Sequence, residues 1–262
     1  MAAWVYPAID PVALRIGPVA VRWYGLAYLA AFLFGWWLLA RLDKRWRLQL
    51  SADDMSTVLL GAVIGVIVGG RLGYVLFYGA GGYWREPLRI LQIWDGGMSF
   101  HGGLAGALLA GVVVSRMLKF PFLTLCDIGA IAAPVGFGLG RLANFVNGEL
   151  WGRVTTAPWG MVFPGAGPLP RHPSQLYEAA LEGAVLLTIM LVLSRRRRAD
   201  GELLGWLLVL YSVFRIAVET VREPDVQIGF LLGGVTMGQL LSLPMLAAGV
   251  WLLVRAKRKQ AA

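Results

Sequence analysis

The chain has 262 residues, of which 58% are hydrophobic and only 15% are charged. This composition excludes an ordinary soluble domain and indicates a protein whose solvent is lipid. The net charge of +9 comes largely from basic residues clustered at the ends of apolar segments, which predicts membrane topology and no nucleic-acid partner. The single cysteine, Cys126, excludes an internal disulfide framework.

Seven apolar segments follow one another along the chain, and each has the length of about 20 residues that a helix needs to cross a bilayer. They cover residues 22–40, 55–78, 98–117, 122–146, 174–194, 203–222 and 233–254. We therefore predict an all-α fold, a polytopic transmembrane helical bundle of about seven spanning helices. No internal repeat is visible, and residues 1–262 are expected to form a single integral membrane domain.

The connections between the spans alternate in charge, and fourteen of the 24 basic residues fall on one side. These fourteen are Arg41, Lys44, Arg45, Arg47, Arg116, Lys119, Arg195 to Arg198, Arg255, Lys257, Arg258 and Lys259. By the positive-inside rule this side is cytoplasmic, so we expect the N-terminus outside and the C-terminus in the cytoplasm. Residues 1–21 then form an external lead-in, and residues 79–97 and 147–173 form external arms that are candidate lids or interfacial segments.

Small residues recur every four positions in the second span, at Gly61, Gly65, Gly69 and Gly73. This ridge predicts a close contact with another helix. Arg71 lies away from the ridge near the outer end, where its side chain can snorkel to lipid phosphates or enter a central cavity.

The third span begins with an imidazole in an apolar segment, His101, one of only two histidines in the chain. Imidazole exchanges a proton near neutral pH, which makes His101 a candidate general base. The structural alternative is a hydrogen bond between helices. The histidines and the scattered acids do not form a metal-ligand spacing, so no metal is expected.

The fourth span ends in polar residues that are costly in a membrane. Arg141, Asn144 and Asn147 are spaced by three residues and form one stripe in a continuing helix, and Glu149 follows. An Arg–Glu pair with two amides can act as a structural plug. The surrounding glycines favour a ligand-binding site instead.

The sixth span places Tyr211, Arg215, Glu219 and Arg222 on one helical face. Arg215 and Glu219 can pair across one turn. Two arginines against one glutamate leave an excess of positive charge, to which Arg141 adds. A lipid phosphate would complement this excess, because guanidinium groups bind phosphate oxygens in a bidentate manner.

Six motifs follow one another along the chain. They are Arg22-Trp23-Tyr24-Gly25, Gly70-Arg71-Leu72-Gly73-Tyr74, His101-Gly102-Gly103-Leu104-Ala105-Gly106, residues 140–152, His172-Pro173-Ser174-Gln175-Leu176-Tyr177-Glu178 and Arg222-Glu223-Pro224-Asp225. In this order, and over nearly the whole length of the chain, they resemble the bacterial prolipoprotein diacylglyceryl transferases.

The resemblance implies an inner-membrane enzyme that transfers the diacylglyceryl group of phosphatidylglycerol to the lipobox cysteine of a prolipoprotein and releases sn-glycerol 1-phosphate. It implies phosphatidylglycerol binding at Arg141 and essential roles for Tyr24, His101, Asn144, Glu149, Gly152, Tyr211 and Arg215. With Arg222, these residues make up the predicted site. Phosphatidylglycerol is a co-substrate, and no further cofactor is expected.

Two other classes of function remain in view. Seven helices with intramembrane Arg, Glu and His also describe a transporter or a flippase for an anionic lipid or solute. The absence of a repeat, and polar groups concentrated toward the outer side, argue against it. An intramembrane hydrolase would need a nucleophile beside a base, and the nearby serines, Ser99 and Ser174, stand in no nucleophile motif.

Overall fold

The computed structural model describes residues 4–17, 19–79, 82–224 and 229–261, in which long helices predominate. In chain order the helices are α1 (Trp23–Trp46), α2 (Ala52–Tyr78), the short α3 (Gly82–Arg85), α4 (Phe100–Met117), α5 (Phe122–Val146), α6 (Ser174–Glu178), α7 (Leu186–Leu193), α8 (Glu202–Glu219) and α9 (Met237–Ala261). A π-helical segment, Ala179–Val185, joins α6 to α7 into one continuous helix. Single 3-10 turns cover Pro87–Leu91, Ile93–Asp95 and Leu232–Gly234.

Among the described residues, six helices are long and apolar enough to cross a membrane, and they coincide with six of the seven predicted spans. The remaining predicted span corresponds to α8, which has 18 residues but carries Glu202, Arg215 and Glu219. The prediction of a polytopic helical membrane protein is confirmed. Helix α8 ends at Glu219 and not at residue 222, so Arg222 lies just beyond the helix.

Four short strands were not predicted. β1 (Trp4–Val5) pairs in parallel with β4 (Met161–Val162), and β2 (Val12–Ile16) pairs antiparallel with β3 (Val19–Arg22). The β1–β4 pair ties the lead-in to the segment 147–173. Beside it, Tyr6 and Phe163 are buried together with Met161 in a small apolar core.

The chain divides into two compact units, of which one comprises Gly35–Cys126 and the other the residues before and after it. In the Gly35–Cys126 unit, α2 packs on α4 through the predicted glycine ridge. A Cβ at Gly65 or Gly69 would clash with the backbone of Gly106, and the same holds for Gly73 against Gly102. The predicted close helix contact is therefore confirmed.

Arg71 of this unit contradicts both expectations for it, because it is buried and binds backbone. The residue as a whole is only 4% exposed. The guanidinium group donates hydrogen bonds to the carbonyl oxygens of Arg89, Ile90, Gly96 and Gly97. Two of these carbonyls belong to the 3-10 turn Pro87–Leu91 and two to the glycines that follow the turn Ile93–Asp95, so Arg71 holds the segment that precedes α4.

In the other unit, α5 and the π-helical segment approach through two glycines. A Cβ on Gly183 would lie 2.6 Å from the Cα of Gly138. Two helices can come this close only where neither residue has a side chain. The contact matters for the site because Arg141 lies one turn after Gly138 on α5, while Glu182 adjoins Gly183.

Helix α8 is anchored at its first turn by a buried carboxylate on α5. Asp127 accepts hydrogen bonds from the backbone N–H groups of Gly201, at 2.7 Å, and Leu204, at 2.8 Å. These donors are unsatisfied within the helix itself, and a carboxylate at a helix N-terminus is favoured by the helix dipole. Asp127 therefore has a structural role at the start of α8. At Gly205, α8 approaches Gly249 of α9 closely.

Substitution of Gly183 by alanine is expected to lower the free energy of unfolding by about 1–3 kcal/mol, because the added methyl group overpacks the contact with Gly138. Thermal unfolding of the purified protein in detergent measures the change. Gly129→Ala on α5 is the matched control, since no heavy atom lies within 4 Å of the position that its Cβ would take. Equal stability of the two variants would contradict the close contact.

Candidate active site

The predicted arginines of the fourth and sixth spans lie together with three buried glutamates. We refer to this set as the arginine–glutamate cluster. Its members are Arg141, Arg215, Arg222, Glu178, Glu182 and Glu219. The carboxylate side chains are at most 1% exposed, and Arg141 is the most open of the three arginines, with 19% of its side chain accessible.

Glu178 is the carboxylate that all three arginines approach. Its Oε2 lies 3.2 Å from the Nε of Arg141, and its Oε1 pairs closely with Nη1 of Arg215 and lies 3.6 Å from the Nε of Arg222. Glu219 binds Arg215 at 2.5 Å and lies 3.4 Å from Nη1 of Arg222. The predicted Arg215–Glu219 pair across one turn of α8 is present.

Glu182 is held much more loosely than the other two carboxylates. Its oxygens lie 3.6 Å from Nη1 of Arg215 and 3.9 Å from Nη2 of Arg141, and neither oxygen has a hydrogen-bond partner among the described residues. Since the residue is 1% exposed, this acid is both desolvated and incompletely paired.

The expected excess of positive charge is wrong. Glu178 and Glu182 project from the α6–π segment and bring the cluster to three carboxylates against three guanidinium groups. Neither residue was assigned a role from the sequence, although two acids spaced by one helical turn in an apolar span indicate a functional candidate. Charges buried at this depth require such pairing, because desolvation of an unpaired ion costs several kcal/mol.

A second polar group forms around the end of α5, where Gly148 has a left-handed φ of 67°. The N–H of Gly148 bonds to the carbonyl of Phe145, and that of Glu149 bonds to the carbonyl of Asn144. This is the hydrogen-bond pattern of a Schellman C-cap, which satisfies the last carbonyls of the helix. The turn carries Glu149 back over the helix end from which Asn144 projects.

One oxygen of Glu149 collects the polar side chains of this group. Oε1 accepts hydrogen bonds from the Tyr24 hydroxyl at 2.5 Å, from Asn144 at 3.1 Å and from Asn147 at 3.3 Å. Asn144 also donates a hydrogen bond to the Tyr24 hydroxyl. The described residues place no donor on Oε2 of Glu149, which leaves that oxygen available to a substrate group.

Among the described residues, Arg141 forms its ion pairs with Glu178 and Glu182 and not with Glu149. The structural plug considered from the sequence, an ion pair of Arg141 with Glu149, is therefore not formed by these residues. Glu149 is instead fixed through its backbone. The fully buried Gln175 of α6 donates a 2.6 Å hydrogen bond to the Glu149 carbonyl oxygen.

Gly152 lies in a crowded backbone crossing, where it forms an antiparallel bridge with Arg222 and its N–H bonds to the His172 carbonyl at 2.8 Å. A Cβ at this position would lie 2.6 Å from both the Cβ of His172 and the carbonyl oxygen of Val221. The requirement for glycine here is thus steric. This crossing places Arg222 within the arginine–glutamate cluster.

Arg153, which the sequence analysis did not single out, extends the same crossing. Its guanidinium group donates to the carbonyl oxygens of Glu219 and Arg222 at the end of α8. A cation at this helix end is favoured by the helix dipole. The imidazole of His172 contacts the Tyr177 hydroxyl at 3.2 Å, and burial lowers the pKa of His172.

Two further predicted residues have simpler surroundings. Tyr211 lies on α8 with its ring 5.1 Å from that of Phe137. His101 belongs to the Gly35–Cys126 unit and is exposed in the first turn of α4, which Ser99 caps. Its ring meets that of Phe100 edge to face. Asp225 of the last motif lies outside the described residues.

The π-helical segment gives the acids their placement. Glu178 precedes it and Glu182 lies within it, so the widened turn falls between the two carboxylates. Such segments within α-helices are frequent at functional sites. Within the part of the chain that the structure describes, no group of three or more His, Cys, Asp or Glu residues has a geometry that could hold a metal ion.

Fold and site together define a polytopic membrane protein with a buried cluster of three arginines and three glutamates. The chain belongs to the prolipoprotein diacylglyceryl transferase family, whose model matches residues 11–255. It is 51% identical over 255 residues to the phosphatidylglycerol–prolipoprotein diacylglyceryl transferase of Geobacter sulfurreducens, covering 97% of this chain and 98% of that protein. It is 54% identical over 257 residues to the enzyme of the same name from Rhodospirillum centenum, with 96% and 93% covered. The protein is a transferase.

Substitution of Gly148 by alanine is expected to lower the free energy of unfolding by about 1–2 kcal/mol, because a Cβ opposes the left-handed conformation. Gly148→Asn is the matched control, since asparagine adopts this conformation more readily. The nearest atoms to a Cβ at Gly148 are 3.7 Å away, so no steric clash contributes. Denaturant unfolding measures both variants, and an equal loss from alanine and asparagine would rule out the conformational cause.

Proposed function

We propose that the protein transfers the diacylglyceryl group of phosphatidylglycerol to the thiol of the lipobox cysteine in prolipoprotein signal peptides, as the first step of lipoprotein maturation. The cysteine sulfur attacks the C3 carbon of the glycerol that carries the two acyl chains. A C–S thioether bond forms while the C–O bond to phosphate breaks. The bonding electrons leave with the phosphate oxygen, and sn-glycerol 1-phosphate is released.

The observation that carries this proposal is the arginine–glutamate cluster, in which Arg141 remains partly accessible. A membrane-embedded guanidinium group of this kind fits the phosphodiester of a lipid headgroup, which it can bind through two parallel hydrogen bonds. We assign substrate binding to Arg141 and Arg222, with Asn144 and the Gly152 crossing supporting the same site.

Arg215 is assigned both a contact with the lipid phosphate and a role in the chemical step. Negative charge grows on the departing phosphate oxygen, and a preorganised cation in a water-poor site stabilises that charge more strongly than water does. The ion pairs of Arg215 with Glu178 and Glu219 hold its guanidinium group in place before the lipid arrives. Tyr211 precedes Arg215 by one helical turn and is assigned to the same chemical step.

The nucleophile comes from the peptide substrate, so Cys126 is not required. An ordinary thiol is only partly ionised at neutral pH and benefits from a base. His101 is the candidate base. Glu149 is the alternative, since its Oε2 carries no donor from the described residues, while Tyr24 and Asn144 orient its other oxygen.

We further propose that the protein is a multi-pass protein of the bacterial inner membrane with its active site toward the periplasmic face. The clustering of basic residues on the opposite side supports this orientation. The reaction as written balances without a cofactor, because the lipid phosphoester bond supplies the driving force. The bilayer and the two substrates are then the partners of the protein.

The direct test incubates the purified full-length protein with phosphatidylglycerol and a lipobox peptide. Mass spectrometry is expected to show the diacylglyceryl mass on the cysteine. Arg215→Gln is expected to lower kcat by about 10²–10³-fold, as removal of a transition-state donor does in other enzymes. Arg255→Gln, at the C-terminal end of α9, serves as the control. Release of fatty acid would indicate a hydrolase, and lipid transport without a covalent product would indicate a flippase; either result contradicts the proposal.

His101→Gln is expected to reduce transfer by about 10²–10⁴-fold if the imidazole is the base, and to remove its contribution to the pH profile. The rate of transfer to the lipobox peptide is measured from about pH 5.5 to about pH 9. This is roughly the range over which a free imidazole and a free thiol titrate. Full activity with an unaltered pH profile would transfer the role to Glu149, for which Glu149→Gln is the parallel variant.

A further inference from the structure

The charge balance of the arginine–glutamate cluster sets a condition on lipid binding. Three carboxylates already neutralise three guanidinium groups in a site that is largely closed to water. A phosphodiester adds one negative charge. Without compensation, the occupied cluster would hold an uncompensated buried anion, which is a costly state.

We propose, on the basis of the function proposed above, that phosphatidylglycerol displaces the Glu182 carboxylate from Arg141 and Arg215 and that Glu182 takes up a proton as the lipid binds. The proton neutralises the acid that loses its cations. The lipid phosphate then occupies the two guanidinium faces that Glu182 contacted. Lipid binding and proton uptake are coupled by this exchange.

Geometry selects Glu182 over its two neighbours. Glu178 is held closely by Arg215 and at 3.2 Å by Arg141, and Glu219 is held at 2.5 Å by Arg215. The contacts of Glu182, at 3.6 Å and 3.9 Å, are the longest that its two arginines make within the cluster, and both of its oxygens lack a hydrogen bond. It is therefore the carboxylate whose displacement breaks the weakest interactions.

The position of Glu182 also fits the exchange. Its partner Arg141 has the most accessible side chain of the cluster. Arg141 is also the arginine that lies farther from Glu182, at 3.9 Å. An incoming phosphate therefore reaches first the guanidinium group to which Glu182 is bound more weakly. The charged and titratable groups facing Glu182 are Glu178 on its own helix, Arg141 on α5, and Arg215 and Tyr211 on α8. When the phosphate engages both arginines, Glu178 remains as a nearby negative charge, which favours the protonated form of Glu182.

Calorimetry tests the coupling without requiring catalysis. Short-chain phosphatidylglycerol is titrated into the full-length protein in detergent, in buffers of different protonation enthalpy, at several pH values. The wild type is expected to take up close to one proton per lipid bound, and its Kd is expected to rise by about tenfold per pH unit where Glu182 is ionised in the free protein. Glu182→Gln is expected to bind lipid without proton uptake and with a Kd independent of pH. Binding by the wild type without proton uptake, or full uptake by Glu182→Gln, would overturn the inference.

Glu202→Gln is the matched control, because Glu202 is also a buried glutamate of this unit but pairs with Arg198 at 2.7 Å at the other end of α8. It is expected to behave as the wild type. Inorganic phosphate is titrated in parallel, since it offers the same oxyanion chemistry without the lipid. Proton-coupled binding of phosphate with no binding of the lipid would assign the site to a free anion and overturn the lipid assignment.

Infrared difference spectroscopy decides the matter if Glu182→Gln does not fold. Lipid binding to the wild type is expected to produce a carbonyl band of a protonated carboxylic acid, and Glu182→Asp is expected to shift that band. An absent or unshifted band overturns the inference. Transfer to the peptide is measured separately by mass. Transfer without proton uptake would overturn this inference and leave the proposed function standing. Proton uptake on lipid binding without transfer would overturn the proposed function and leave the coupled binding standing.

Discussion

The ion cluster of three arginines and three glutamates is the constraint on which the rest of the site depends. Charges inside membrane helices are tolerated only with partners, and the partners here come from three separate segments of the chain. Arg141 belongs to α5, Glu178 and Glu182 to the α6–π segment, and Arg215 to α8. Loss of one partner leaves an uncompensated buried charge on another, so the cluster holds these segments in register.

The backbone contacts explain how the charged groups reach each other. Gly138 and Gly183 let α5 and the π-helical segment approach, and Asp127 fixes the start of α8. At the other end, the crossing at Gly152 brings Arg222 to the cluster. Charged groups that are distant in the chain are therefore brought together by three kinds of contact. These are the close glycine pair, the buried carboxylate at the start of α8, and the crossing at which only glycine fits. The same contacts leave Arg141 partly open, which is the property that binding of a lipid phosphate requires.

Much of the architecture could be predicted from the sequence because hydropathy and helical spacing are local properties. The spans, the glycine ridge of α2 and the common face of Arg215 and Glu219 follow from them. The ion-pair and hydrogen-bond partners could not be predicted, because pairing between distant parts of the chain has no local signature in the sequence. Glu178 and Glu182 cancel the charge excess expected from α8, and Arg71 binds carbonyl groups instead of lipid or a cavity. The turn at Gly148 likewise directs Glu149 to Tyr24, away from the expected pairing with Arg141. The assigned catalytic roles stay predictions.

In the proposed function, the arginine–glutamate cluster binds the phosphate of the lipid substrate. An experimental structure of the full-length protein in a bilayer of phosphatidylglycerol tests this claim most directly. We expect phosphate density within about 3 Å of the guanidinium groups of Arg141 and Arg215, with Glu182 moved away from both. A phosphate bound elsewhere, with all six side chains of the cluster still paired as described, would contradict it.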